Sequence, residues 1–337
     1  MSYFKDLTKD KLFVIAEACD NHMGSFDMAI ALVDAAVASG VDAIKFQHHL
    51  AYEEMLEDTP MSDNFAEPLF DFLERNALSL EDHFRLKKYC DTKKITYLCT
   101  PFSFKAALEI QDLVPFFKIG SGEFQDMWFI DNLVALKKPV LFSTGMCSWK
   151  ELLNNVKYIS TTGLDFALMN CLSEYPPNYK DMNLNIITKM TDTFEDIVIG
   201  HSDHSPEIYT SIVAASLGAK IIEKHLTISS FVSGPDQSVS VTHDQFKNLV
   251  NACDYIPDIM GGEKLIHKRE FDIRTWAYRS VVSNREILEG ETINLEDICT
   301  KRPGTGILSL NYKDIVGKKA IKRISENSLI SMDQISE

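Results

Sequence analysis

No apolar run in this chain reaches the roughly 18 residues that a membrane-spanning helix needs. The opening MSYFKDLTKDK also lacks the apolar core of a secretory signal. A soluble protein of the cytoplasm is therefore expected. Cysteine is sparse: there are seven in 337 residues, an odd number with no CxxC spacing, and Cys99 and Cys171 lie in or beside apolar runs. That pattern argues against a disulfide framework or a cysteine zinc site and reads as small buried residues in a reducing compartment. No GxGxxG follows a strand-like run, so the glycine-rich turn of a dinucleotide fold is missing. Positive charge is scarce too. With 34 Lys and Arg against 49 Asp and Glu, the formal charge is −15, which argues against general binding to nucleic acid or an anionic membrane. An anionic substrate would need its lysines and arginines gathered locally.

What the chain has in quantity is apolar residues, 45%, enough for one large domain and a smaller one. Eight short β-rich runs recur: Leu12 to Ala16, Val41 to Phe46, Ile95 to Cys99, Phe116 to Gly120, Pro139 to Ser143, Asp165 to Met169, Asp196 to Gly200 and Lys220 to Lys224. Segments with helical spacing separate them, such as 27–36 and 80–90. Eight strand-plus-helix units predict an α/β chain whose residues 1–260 close into a (β/α)8 TIM barrel. An open doubly wound sheet is the competitor. The longer segment 51–76 follows the second strand and is expected at the barrel mouth as a lid. Residues 261–278, beginning Gly261-Gly262, read as a charged connector, and 279–337 as a small second domain with a helix start at Asn294.

The stretch GHSDHSPEIYTSIVAASLGAKIIEKHL places His204 and His225 each just after a strand-like run. In a parallel barrel, side chains past the carboxyl ends of neighbouring strands converge, and two neutral imidazoles facing one point suit a divalent metal. A pair of ordinary hydrogen-bonded histidines is the alternative. Strand alternation puts Lys45 and Gln47 on the side of Val41 and Ala43, gives Lys118 a similar setting, and ends the first strand with Glu17. Charges facing a barrel interior need partners or an anion. Thr100, Ser103, Ser121, Ser143, Thr144 and Ser202 supply hydroxyls near strand ends that can cradle a phosphate, although each alone could cap a helix or a turn.

Taken together, IAEACDNHMGS, IKFQHH, CTPFS, KIGSGE, STGM, NCLSEYP, IGHSDHS, EKHL, SGPD and KRPGTG resemble the sialic acid synthase family, the N-acetylneuraminate synthase type. The similarity runs through nearly the whole chain, and the end of the chain resembles the antifreeze-like SAF domain, a β-clip fold. The resemblance implies condensation of phosphoenolpyruvate with the open-chain aldehyde of an N-acetylmannosamine-type sugar, giving a nine-carbon 2-keto acid and phosphate. It implies that His204 and His225 hold Mn²⁺ or Mg²⁺, acting as a Lewis acid on the aldehyde oxygen, and that His225, Lys45 and Lys118 belong to the catalytic set. Glu17 would be the base, or would stabilise the cation formed at C2. Lys45, Thr100, Lys118, Ser121, Ser143, Ser173 and Ser202 would grip phosphoenolpyruvate; Gln47, Asn64, Glu123, Tyr175, Asp236, Trp276 and Arg302 would face the sugar. A homodimer is implied in which the small domain of one subunit caps the barrel of the other.

The chain also departs from the family pattern. Asp20 replaces the small or apolar residue of EIGxNH, His48 stands where Thr is common after KxQ, and Ser173-Glu174-Tyr175 replaces Asn-Ile-Tyr. His48 and the Ser173 segment are expected at sugar contacts, so N-acetylmannosamine, its 6-phosphate, and a 2,4-diacetamido-trideoxy sugar as in legionaminic acid synthases all stay open. Glu174 beside the pocket would disfavour the phosphorylated sugar; the alternative is that it points to solvent. The rival chemistries are another phosphoenolpyruvate-dependent aldol-type barrel and a Schiff-base aldolase using Lys118.

Overall fold

Each β-rich run forms a strand in the computed structural model, which describes residues 2–60, 67–232 and 234–336. The strands are β1 Phe13–Glu17, β2 Ala43–His48, β3 Thr96–Pro101, β4 Phe117–Ile119, β5 Val140–Ser143, β6 Phe166–Cys171, β7 Ile199–Asp203 and β8 Ile221–Thr227. They are parallel and lie in the order β3-β2-β1-β8-β7-β6-β5-β4, and β3 and β4 come together at the remaining seam. The result is a nearly closed (β/α)8 barrel, with the short strand β9, Val241–Thr242, added alongside β8. Several strands run further toward their carboxyl ends than the apolar runs suggest: His48, Asp203 and His225 are still strand residues because parallel pairing continues there.

The helices between the strands begin and end where their sequences dictate. Ser25 accepts from the Met28 N–H and Gly40, at φ 77°, ends helix Phe26–Ser39, which buries Ala29, Leu32, Val33 and Ala36 at helical spacing. Ser148 and Glu151 form a capping box on Trp149–Thr161, and Thr242 and Gln245 one on His243–Met260. Outward strand residues such as Val14, Phe46, Phe142 and Ile222 pack under these helices.

The alternate, inward residues build the site in layers. Ile15, Ala43, Leu98, Leu141, Met169 and Ile221 form an apolar layer inside the barrel, joined below by Phe13 and Phe116. The helix Tyr3–Leu7 sets Phe4, fully buried, edge-on to Phe116 at 5.1 Å and completes this floor. Two residues further along the strands the inward face turns polar.

The second unit, Gly262–Glu337, has its own core of Val281, Ile287, Ile293, Ile298, Ile315, Ala320, Ile324, Ile330 and Ile335. Its strands β10, Ser280–Ser283, and β11, Ile298–Lys301, pair antiparallel. Helix Lys268–Ala277 belongs to this unit. The expected helix at Asn294 is a single 3-10 turn, Leu295–Asp297, tied by Asp297 accepting the Asn294 N–H at 2.8 Å. No helix among the described residues is long and apolar enough to cross a membrane.

Candidate active site

Above the apolar floor, the next inward positions carry Glu17 from β1, Lys45 from β2, Thr100 from β3, Lys118 from β4, Ser143 from β5, Cys171 from β6, Ser202 from β7 and Glu223 from β8. All of them line one cavity of about 290 Å³. The ammonium of Lys118 donates to Ser143 at 2.8 Å and lies 3.2 Å from Glu223. Lys45 donates to Thr100 at 3.0 Å, pairs closely with Glu17 and lies 3.8 Å from Glu223, which also accepts from Ser202 at 3.0 Å. Burial pushes Glu223 toward neutrality, but Lys118 and Lys45 outweigh it and hold its pKa at about 2. Burial dominates at Glu17 and, with repulsion from Glu223, raises its pKa to about 7 against the pull of Lys45. The cradle thus gathers two lysines beside one carboxylate held ionised and one carboxyl raised toward neutral pH, a local collection of positive groups in a chain of −15.

Gly145 lets the cradle close. Its N–H donates to Ser121 at 3.0 Å, and a β-carbon there would stand 2.7 Å from the same hydroxyl oxygen and closer still to that of Ser173.

A second cavity of about 400 Å³ adjoins the first, sharing Gln47, Phe102, Glu123, Ser173 and Tyr175 and adding Cys19, Asp20, His49, Glu54, Met55, Leu69, Leu73 and Asp236. Met55, Leu69 and Leu73 come from the segment after β2, which here forms cavity wall. His49 stacks on Phe102 at 4.3 Å and reaches Glu54 at 3.0 Å through Nδ1 and the Gln47 oxygen at 2.8 Å through Nε2. Each ring nitrogen has an oxygen neighbour; burial opposes the charged ring, but Glu54, with Asp20 and Glu123, outweighs it and raises the His49 pKa above its ordinary value. Among the described residues, four carboxyl groups, Asp20, Glu54, Glu123 and Asp236, share this cavity with His49. Burial raises Asp20 and Glu123 to about 7 and pushes Asp236 up as well.

His204 sits just past β7. Its Nδ1 donates to the Leu172 carbonyl at 2.8 Å, which leaves Nε2 to accept from the Tyr175 hydroxyl at 2.9 Å while the two rings stack at 4.2 Å. His225 on β8 faces it with ring centres 5.4 Å apart.

Residues 32–264 match the NeuB family and residues 278–336 the SAF domain. The chain belongs to the NeuB family. Among the family's members it is 33% identical to an N,N'-diacetyllegionaminic acid synthase of Legionella pneumophila, over 96% of this chain and 94% of that one. It is 30% identical to a pseudaminic acid synthase of Campylobacter jejuni, over 94% of each. The crystal structure of an N-acetylneuraminic acid synthetase from Leptospira borgpetersenii, in complex with citrate, superimposes with a TM-score of 0.71 at 28% identity, covering 78% of this chain and 91% of that one. NeuB-family enzymes condense phosphoenolpyruvate with amino sugars, and this chain is a phosphoenolpyruvate-dependent sugar synthase.

NeuB-family enzymes depend on a metal, and the residues here fit one. His225 has its Nδ1 buried with no partner, and the tautomer of His204 turns Nε2 toward the pocket. Burial, followed by the neighbouring His204, pushes the pKa of His225 well down, so it is the neutral ring that a metal requires.

Of the residues expected from the sequence, Glu17, Lys45, Gln47, Thr100, Lys118, Ser121, Glu123, Ser143, Ser173, Tyr175, Ser202, His204, His225 and Asp236 line the two cavities. Asn64 lies outside the described residues. In the second unit, Arg302 is exposed and lies over the Trp276 ring at 5.4 Å, with its Nε donating to the Ala277 carbonyl at 3.1 Å. One expectation needs correction, and one open alternative resolves. His48 does not reach the sugar side: as the outward neighbour of Gln47 it bonds Glu109 at 2.8 Å and packs on His83, whereas His49 enters the cavity. Glu174 is exposed and lines neither cavity.

Glu223, His49 and Cys19 are among the cavity residues that the sequence motifs do not single out. Glu223 shares the face of His225, two positions on, and is the counter-charge that two inward lysines demand. His49 had no signal beyond its neighbour. Cys19 occupies the glycine place of EIGxNH, a signal that was there to use.

Proposed function

We propose that the amino sugar is uncharged, of the N-acylated mannosamine type, and that the product is a nine-carbon 2-keto acid of the sialic acid kind released with phosphate. The observation that carries this reading is the second cavity, where Asp20, Glu54, Glu123 and Asp236 gather with His49 and no lysine or arginine stands among the described lining residues. A sugar phosphate would bring about −2 of charge into that cluster. Met55, Leu69 and Leu73 on the same wall offer apolar cover to an acyl methyl group. They also favour a second reading, a 2,4-diacetamido-2,4,6-trideoxyhexose, whose C6 methyl and additional acetyl group would cover more of that wall.

In this reading Lys45 and Lys118, with Thr100, Ser121, Ser143 and Ser202, bind the carboxylate and phosphate of phosphoenolpyruvate, which takes over from Glu223 as their counter-charge. C3 of phosphoenolpyruvate bonds to the sugar aldehyde carbon, water adds at C2, and phosphate leaves with its C–O bond. Glu17, with a pKa of about 7, is matched to taking the proton from that water at neutral pH. Gln47, oriented by His49, and Tyr175 bind sugar hydroxyl and amide groups. A divalent ion held by His204 and His225, Mn²⁺ or Mg²⁺ by resemblance, supplies Lewis acidity toward the carbonyl oxygen.

The SAF unit joins the site through a domain-swapped homodimer in which Arg302 of one copy reaches the acylamino group in the barrel of the other. What supports this is Arg302 itself: exposed, fixed by Trp276, and with no carboxylate partner among the described residues.

The test is a mass-spectrometric product screen with phosphoenolpyruvate and N-acetylmannosamine, its 6-phosphate, or the diacetamido-trideoxy sugar. A nine-carbon acid from one of the uncharged sugars is expected; preferential use of the 6-phosphate overturns the reading.

A further inference from the structure

We propose that Cys19 is a thiolate ligand of the metal centre, acting with His225 and Asp236 beside His204 in a donor set that favours a thiophilic divalent ion. The sulfur of Cys19, a ring nitrogen of His225 and a carboxylate oxygen of Asp236 all lie within 4.8 Å of one another. The three side chains are 6%, 4% and 4% exposed. Donors held about 2.0 to 2.3 Å from one tetrahedral ion stand roughly 3.5 Å apart, so only a small contraction brings the three onto a single ion. The buried, unpartnered Nδ1 of His225 is an independent sign that a ligand belongs here: no protein group satisfies it, and burying a bare nitrogen is unfavourable.

The backbone adds a third observation. Cys19 has φ 40°, a left-handed conformation that disfavours any side chain by about 1 to 2 kcal/mol relative to glycine. Its N–H is anchored to the Glu17 carboxylate at 2.7 Å, so the turn is fixed by the catalytic layer and not by the side chain. A residue kept in such a place points to work done by its sulfur. On ligation the thiol proton is released to solvent, one for each ion bound.

A thiolate turns the preference of the centre. Oxygen donors favour Mn²⁺ and Mg²⁺ and imidazoles already lean toward the later transition metals; adding a thiolate draws Zn²⁺, Fe²⁺ and Co²⁺ further ahead of Mn²⁺ and Mg²⁺. This inference rests on the metal dependence of the family and is independent of which sugar is used.

The test loads the metal-free, full-length protein with Co²⁺ and reads its absorption spectrum. Expected are visible d–d bands together with a near-ultraviolet thiolate-to-cobalt charge-transfer band. Cys19→Gly, which suits the left-handed turn, and Cys19→Ser lose the charge-transfer band and keep the d–d bands. Cys171→Ser, a control because that sulfur lies 3.9 Å from His204 Nδ1, keeps both. In competition titrations, Cys19→Ser lowers Zn²⁺ affinity on the order of tenfold or more and changes Mn²⁺ affinity far less. Visible bands without charge transfer in the native protein, or charge transfer surviving in Cys19→Gly, overturn the role of Cys19 alone. No cobalt spectrum at all overturns the metal centre with it.

Discussion

Replacing Lys118 by methionine removes a charge and leaves most of the side-chain volume. Lys118 is 3% exposed, and among the described residues its ammonium has Ser143 at 2.8 Å and Glu223 at 3.2 Å as close partners. In the substituted protein Glu223 retains Lys45 at 3.8 Å as its one cation, and an incoming phosphoenolpyruvate meets one lysine in place of two. Truncating one partner of a buried, hydrogen-bonded charge pair costs about 2 to 5 kcal/mol. At 1.36 kcal/mol per decade this lowers kcat/KM for phosphoenolpyruvate roughly 30- to 5,000-fold. The loss appears in phosphate-release assays when phosphoenolpyruvate is varied at saturating sugar, while KM for the sugar moves little. Glu223 also loses the first of the two cations holding its pKa at about 2, so that pKa rises. Adding Glu223→Gln to Lys118→Met then recovers part of the activity by removing an uncompensated carboxylate. An unchanged dependence on phosphoenolpyruvate, or an equal loss in sugar binding, refutes the assignment of Lys118 to the anion cradle.

Chelation with excess EDTA, His204→Ala and His225→Ala are each expected to abolish condensation while circular dichroism and thermal melting still report a folded barrel; full turnover in any of the three contradicts the metal role. Burial, with Glu54 adding repulsion, sets the Glu123 pKa at about 7, above its unfolded value near 4.3. The stabilisation linked to that raised pKa is complete below pH 4 and is lost as pH climbs through 7. Glu123→Gln therefore gains on the native protein between pH 5 and pH 8, by at most about 3 kcal/mol, and a constant difference in Tm across that range counts against it. Co-expressing His225→Ala with Arg302→Ala returns activity if sites are shared between copies, since a mixed dimer keeps one intact site. Once Arg302→Ala alone is shown to be severely impaired, a dead mixture means that each chain completes its own site.

The barrel was legible in the sequence because its signal is periodic. Eight apolar runs with helices between them allow few arrangements, and Lys45, Lys118 and Glu17 declare their face by alternation alone. Where strands end is less legible. Pairing continues past the apolar run in β2 and β8, so His48 and His225 belong to strands, and the two-residue rhythm turns His48 away from the cavity. Position 49 then lies beyond the rhythm, where only the fold of the following loop says that its ring returns to the pocket. Hydroxyls are less legible still: Ser103 caps the helix Phe104–Ile110 through the Ala106 N–H and Thr144 bonds the Met169 carbonyl, whereas Ser143 accepts from Lys118 and Ser121 lines the same cavity. The sequence neighbourhoods of the four differ little. Cys19 was readable in principle, as a side chain in a glycine's place, but its meaning depends on His225 and Asp236, which only the closed barrel brings near.

The aromatic floor under the site has a bearing on traffic. Phe4, Phe13 and Phe116 pack together across the lower end of the barrel, so the mouth at the carboxyl ends of the strands would serve reactants and products alike. The lysine cradle rests directly on that floor, and the acid-lined cavity stands next to it with shared walls. If phosphoenolpyruvate takes the cradle and the sugar the adjoining cavity, as proposed above, ordered addition with phosphoenolpyruvate first is expected, and initial-rate kinetics showing random order refute it. Excess sugar then acts as a brake on turnover, one that rising phosphoenolpyruvate relieves.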